Sequence, residues 1–340
     1  MAKMLKSNLV LKAKDINEIC NEFELENVVY EDGGYKVLKK DTEGVIYSPE
    51  YETKEFNKIV GSWCALCDNE TKSTIEVMIS VYAHGKYSKY FSYGEWSLGG
   101  ENLYYDQDDE YVYMSVDEVI LKENELGEKF KFKVVLKNDA VFKLICIMIK
   151  AKYFEENKPY VELNNMPSTV LYDVPKLNQN MVPVIGNEMC SATTTAMLLK
   201  FKGMDFSKYD PEFEHRYVAT LVADNGHHAP TYGNWVFNTT VMGGFGYNAY
   251  VYRMYSWEEL KHHLAKVGPV GASIRGNTGL YKTGGHLLVV TGYKELDGKT
   301  YVVCNDPNIN SRFGEGLFVS YDYPLDVFMG FWRGVAYIIE

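Results

Sequence analysis

Cys190 stands directly ahead of a helix-like run, Ser191 to Lys200, in which Thr193, Thr194 and Thr195 lead into Ala-Met-Leu-Leu-Lys and Gly203 supplies the stop. A thiol there lies at a helix N-terminus, where unpaired amide groups and the helix dipole favour the thiolate. Placement alone does not decide, because most cysteines at such positions serve packing. His286 follows two glycines in Gly284-Gly285-His286-Leu287-Leu288-Val289-Val290 and opens a buried strand. Facing a cleft it would be a general base; at the rim of a core it would be a structural histidine. Asp306 ends the next strand-like run, Val303-Cys304-Asn305-Asp306-Pro307, so a β-hairpin would bring its carboxylate beside His286. A carboxylate there fixes the imidazole tautomer and stabilises the imidazolium. An Asn-Asp-Pro turn also has a purely structural reading. Asn305 is the alternative orienting residue, but neighbours on a strand point to opposite faces, so only one of the two meets His286. Gln179, upstream in Leu177-Asn178-Gln179-Asn180, could donate its amide to a developing oxyanion together with the backbone N–H of Cys190. Standing alone it would be a loop glutamine in water.

These residues need a helix for the thiol and a sheet for the base and its carboxylate. Besides Ser191 to Lys200, Trp257 to Lys266 reads as a helix, with Ser256 as N-cap and Glu258 and Glu259 in the first turn. After Gly268-Pro269 come strand-like runs at Val270–Ile274, Leu287–Tyr293, Tyr301–Cys304 and Val335–Ile339. Helices followed by an antiparallel sheet predict an α+β domain. The first half differs: Val77–Val81, Tyr111–Met114 and Phe130–Leu136 are short, β-branched and aromatic, divided by turn-forming runs, with one short helix near Asp15–Phe23. That pattern predicts an all-β sandwich. The texture loosens around residues 156–172, so the expected domains are 1–165 and 166–340.

The order of glutamine, cysteine at a helix start, histidine at a strand start and carboxylate at the next strand end is the papain-type arrangement. The blocks Asp173-Val174-Pro175, Gln179, Cys190, Ala196-Met197-Leu198-Leu199, Gly203, Tyr232-Gly233-Asn234-Trp235, Asn238-Thr239, Gly285-His286-Leu287-Leu288-Val289 and Asn305-Asp306-Pro307 together resemble the bacterial peptidase-like domains of cysteine-peptidase family thirty-nine. These are relatives of the peptidases that remove double-glycine leaders from bacteriocins. The resemblance runs over about residues 170–340. It implies a papain-like fold with Cys190 as nucleophile, His286 as base, Asp306 as orienter and Gln179 in the oxyanion hole. Glu188, Met189 and Ser191 surround Cys190 where that family usually carries glycine. Trp235, in one of the matching blocks, and Asn305 are the expected substrate-binding residues. Ser62-Trp63-Cys64-Ala65 and Tyr90-Phe91-Ser92-Tyr93-Gly94-Glu95-Trp96 make the first half look like the domain that precedes such peptidases in some bacterial proteins, which supports the sandwich.

The expected reaction is thiol-dependent hydrolysis of a peptide or amide bond in a peptide or protein substrate, with no metal or organic cofactor. Two alternatives stay open: acyl transfer by the same triad, and a catalytically silent binding module. The aromatic residues around 90–96 add a further expectation, a glycan or cell-wall polymer bound by the first domain, against their plainer reading as core.

A net charge of −11 argues against nucleic-acid or anionic-membrane surfaces. Apolar stretches such as Leu144–Ile149 are strand-sized, no segment could span a bilayer, and no signal peptide is visible. Six cysteines without framework-like spacing suit a reducing compartment, so the lean is cytoplasmic. Cys64-Ala65-Leu66-Cys67 is a single CxxC without a second ligand pair for zinc, and the pairs His227-His228 and His262-His263 point apart on regular structure. Asp106 to Asp109 could bind calcium but reads first as a solvated acidic loop.

Overall fold

The computed structural model describes every residue except 1, 5, 40, 104, 124, 227 and 228, and every side chain except those and 2, 152 and 153, so the pair His227-His228 lies outside the described residues. The chain forms two compact units. Met1–Asn157, Ala223–Pro230 and Asn234–Arg253 make the first; Lys158–Val222, Thr231–Gly233 and Met254–Glu340 make the second.

The first unit is built on long antiparallel strands: β1 (Tyr51–Leu66), β2 (Thr74–Ala83), β3 (Phe91–Trp96), β4 (Gly127–Lys137) and β5 (Val141–Ala151). β2 lies between β3 and β4, and β1 pairs first with β4 and then with β5. The alternation expected of a sandwich strand is plain in β4, where Phe130, Phe132, Val134 and Leu136 are buried while Lys129, Lys131 and Lys133 point outward, half-buried. Trp63, Tyr93 and Trp96 lie in the core, Trp63 meeting the Tyr93 ring edge-on at 5.8 Å. The aromatic run that suggested glycan binding is therefore mostly interior.

The helix Trp235–Gly244 and the strand Ala249–Arg253 also belong to this unit, although the sequence reading assigned them to the second domain. The reason is the second face of β1, buried from Ile59 to Ala65 on both sides. Gly243 packs onto it so closely that a Cβ would lie 2.9 Å from the Cys64 Cα. The backbone of the Ala249–Arg253 strand finds partners in sheet side chains. Ala249 N–H donates to Cys64 Sγ (3.1 Å), Val251 N–H to Ser62 Oγ (3.0 Å) and Arg253 N–H to Asn8 Oδ1 (2.8 Å). At the helix start, Asn234 Oδ1 accepts from the Phe237 N–H at 3.0 Å, and the buried Asp117 carboxyl accepts from the Trp235 N–H.

The second unit has helix α1 (Cys190–Phe201), a shorter α2 (Glu214–Val222), α3 (Trp257–Lys266), then strands β6 (Val270–Asn277), β7 (Lys282–Leu296), β8 (Lys299–Asn305) and β9 (Ser320–Pro324), helix α4 (Leu325–Phe331) and β10 (Trp332–Ile339). The sheet is antiparallel in the order β10-β6-β7-β8-β9. α1 is buried from Ser191 to Leu199, apolar or threonine on every side, as a central helix must be. It comes within contact of β6 at Gly271, where a Cβ would sit 3.0 Å from Thr194 Cγ2. α3 starts at the expected cap, Ser256 Oγ accepting from the Glu259 N–H at 3.2 Å. Among the described residues no helix is long and apolar enough to cross a membrane.

Candidate active site

Cys190 is the first residue of α1. Met189 precedes it without capping the helix through its side chain, so the sulfur itself faces free amide groups and bonds to the N–H groups of Ser191 and Leu287. The residue is partly exposed; among the other cysteines only Cys20 is exposed. Burial on its own would raise the thiol, but the charge and hydrogen bond of His286, with the two amides, bring Cys190 below its ordinary value. Elsewhere burial prevails: it pushes Cys67 up to about 12, and raises Cys146 and Cys304 as well.

His286 lies on β7 opposite Ile274 of β6 and is buried. Its Nε2–H donates to Asp306 Oδ1 at 2.8 Å, and its side chain is also hydrogen-bonded to Cys190. Burial disfavours the imidazolium, yet the Asp306 carboxylate and the Cys190 sulfur outweigh it and raise His286 to about 10. Both directions, thiol down and imidazole up, favour a shared proton on the nitrogen rather than on the sulfur.

Asp306 is fully buried just beyond the end of β8, and every bond to its carboxylate comes from a donor. Oδ1 accepts from His286 and from the Asn308 N–H (2.9 Å); Oδ2 accepts from the Tyr281 hydroxyl (2.5 Å) and, at 3.4 Å, from that of Tyr323. A buried carboxylate tolerates its charge only with such a set of donors. Asn305 points the other way, as strand alternation requires. It is buried, donating to the Val174 carbonyl (2.8 Å) and accepting from Ser320 Oγ (2.7 Å), so its amide is taken up by the sheet edge.

Gln179 opens a single 3-10 turn, Gln179–Met181, pinned to the loop after Asp306. Its own N–H donates to the Pro307 carbonyl (2.9 Å), Asn178 Nδ2 to the Ile309 carbonyl (2.8 Å) and Asn180 Nδ2 to the Asn308 carbonyl (3.1 Å). From α2, the buried His215 meets the Asn178 carbonyl at 3.2 Å. The Gln179 side chain is buried: Nε2 donates to the Gly186 carbonyl at 2.7 Å, and Oε1 has no partner among the described residues. Gly186 begins the turn Gly186–Glu188 just before α1, and a Cβ on it would stand 2.4 Å from the Gln179 carbonyl oxygen. Ser191, next to the cysteine, is buried and bonds to the Tyr337 hydroxyl at 2.8 Å.

The second unit thus brings Cys190, His286 and Asp306 together, with Gln179 on an adjoining loop. Trp235 belongs to the first unit, at the start of its Trp235–Gly244 helix. Sequence reasoning missed Tyr281, Tyr323, Asn308 and Gly186; only Gly186 carried a signal, as a glycine shortly before the nucleophile. Among the described residues no group of three or more His, Cys, Asp or Glu side chains is placed to hold a metal ion. Cys64 and Cys67 are both buried, Cys67 donating weakly to the Trp96 carbonyl (3.6 Å).

Residues 171–333 match the model of the Peptidase_C39 like family. No curated protein matches the chain. Among solved structures it is similar to digestive procathepsin L 3 of Tenebrio molitor larval midgut, with 15% identity over 53% of this chain and 72% of that one and a TM-score of 0.32, a likeness too slight to build on.

Proposed function

We propose, for a chain whose residues 171–333 form a C39-like cysteine peptidase domain, that Cys190, His286 and Asp306 carry out the peptide or amide hydrolysis. The observation that carries this reading is the buried 2.8 Å bond from His286 to Asp306 behind an imidazole that also holds the Cys190 thiol. The thiolate of Cys190 adds to the carbonyl carbon, and the imidazolium of His286 gives its proton to the leaving amine as the C–N bond breaks. Water then attacks the thioester, losing a proton to His286, and the acid departs as the proton returns to the ion pair. Asp306 keeps the imidazole in one tautomer throughout. The Cys190 N–H and the Gln179 amide, whose second N–H is not needed by Gly186, are the donors suited to the oxyanion.

The test is the pH dependence of Cys190 alkylation by iodoacetamide, read by peptide mass spectrometry in wild type and His286→Ala. A free thiol titrates near ~8.5, and an imidazolium-paired one lies units lower. Fast alkylation near pH 6 that collapses in the variant is expected. Identical slow rates in both proteins, matching exposed Cys20, would leave the domain without an ion pair and favour a silent binding role.

A further inference from the structure

The carboxylate of Asp306 is held by two sets of donors with different duties. Oδ1 is fixed by the Asn308 amide as well as by His286, and the Asp306 N–H donates to the Val319 carbonyl at 2.9 Å, so the group's orientation does not depend on Oδ2. Oδ2 carries the 2.5 Å bond from Tyr281. The position of Tyr281 is set by its own turn, in which its N–H donates to Thr278 Oγ1 (3.1 Å) and its carbonyl accepts from the Thr278 N–H (2.9 Å). Its ring stands edge-on to the His286 ring at 5.9 Å and against Phe313 at 5.3 Å.

We propose that the Tyr281 hydroxyl is a positioning group that draws charge toward Oδ2 of Asp306 and so loosens the hold of Oδ1 on the protonated His286. This rests on the Cys190–His286–Asp306 reading. A short hydrogen bond to one carboxylate oxygen withdraws charge from the other. With the phenol absent, the carboxylate keeps its place and presents more charge to the imidazolium, which then parts with its proton less readily. Burial and the neighbouring Asp306 charge push the Tyr281 hydroxyl far above its usual range, so it stays a donor wherever the enzyme works. The titratable groups around this pair are Cys190 from α1, His286 from β7, Cys304 from β8, Tyr323 from β9 and Tyr281 itself.

The experiment follows Cys190 alkylation against pH in the full chain for wild type, Tyr281→Phe, Tyr323→Phe and His286→Ala. Tyr281→Phe keeps the ring edge-on to His286 and removes the hydroxyl, with its bond to Oδ2 and its bond with the Asn308 side chain. The alkaline step, where the paired thiolate becomes a free one, should move up by about one pH unit in Y281F. In Y323F, which loses a 3.4 Å bond to the carboxylate and a bond with the Thr278 side chain, it should move less in the same direction. A Y281F step that overlies wild type or moves down overturns the proposal while leaving the ion pair intact. If Y281F does not fold, an unshifted or downward step in Y323F overturns it. Absence of any His286-dependent step in wild type sinks the triad reading and this proposal with it.

Discussion

Replacing Asp306 by asparagine removes one buried charge and almost no volume. The Asn308 N–H still selects an oxygen at the Oδ1 position, so the amide nitrogen falls beside Tyr281, whose hydroxyl turns and accepts instead of donating. The protein should fold, and His286 should keep a neutral acceptor. What it loses is attraction: with charge centres roughly 4 Å apart and an effective dielectric of about 20, that is about 4 kcal/mol. At about 1.4 kcal/mol per pKa unit this is close to three units, enough to return His286 from about 10 to near neutrality. The equilibrium between thiolate–imidazolium and thiol–imidazole shifts by up to about a thousandfold toward the neutral pair. Alkylation of Cys190 at pH 6 should therefore slow by at least about tenfold, allowing for relaxation around the site. Stability should respond as well. His286 lies above its unfolded value of 6.5, so taken alone its contribution is complete below pH 6.5 and is lost as the pH rises toward about 10, while Cys190, held below its ordinary value, contributes in the opposite sense and gains as the pH rises. Between pH 6.5 and the free thiol value of ~8.5 the two contributions cancel, one proton being held in the folded and the unfolded state alike, so the wild-type melting temperature should fall only above ~8.5, and the D306N curve should be flatter there. A folded D306N protein alkylated at the wild-type rate at pH 6, with an unchanged melting profile, would refute the electrostatic argument.

Limited native alkylation should label Cys190 and Cys20 and spare Cys64, Cys67, Cys146 and Cys304; peptide mapping that finds Cys304 labelled as fast as Cys20 contradicts the packing. Gly186→Ala forces a Cβ against the Gln179 carbonyl and should cost about 1–3 kcal/mol in a denaturant titration while lowering the alkylation rate of Cys190. A variant as stable and reactive as wild type would show that this close approach is not needed. Asn234→Ala removes the cap of the Trp235–Gly244 helix and should destabilise by about 1 kcal/mol. A calorimetric trace indistinguishable from wild type would argue that Asp117 alone suffices there.

Much of the second unit was legible because its elements obey local rules. The threonine-to-leucine run after Cys190 and the Ser256 cap predict α1 and α3 nearly to the residue, and the β-branched runs predict the cores of β6, β7, β8 and β10. Alternation along β8 correctly separates Asn305 from Asp306. The Trp235–Gly244 helix was not legible. Its sequence, Trp-Val-Phe-Asn-Thr-Thr-Val-Met-Gly-Gly, is poor in helix formers, and it is held by Asn234, by Asp117 from far up the chain and by the back of β1. Position in sequence placed Trp235 with the peptidase half, whereas packing places it with the sandwich. Tyr281 and Tyr323 were hidden for another reason: among 28 tyrosines nothing local marks the two whose hydroxyls converge on one carboxylate.

The threading of the chain sets an order of events during synthesis. Cys190 and its helix leave the ribosome before the strand Ala249–Arg253 that the sandwich still requires, and His286 and Asp306 leave after it. A nascent chain therefore has all the pieces of its β-sandwich before it has the histidine that we propose activates its thiol. The peptidase unit closes last, around residues that were translated on both sides of its neighbour's final strand. Until then the residues that we propose activate Cys190 are not yet made, and its thiol is that of an ordinary, weakly nucleophilic cysteine.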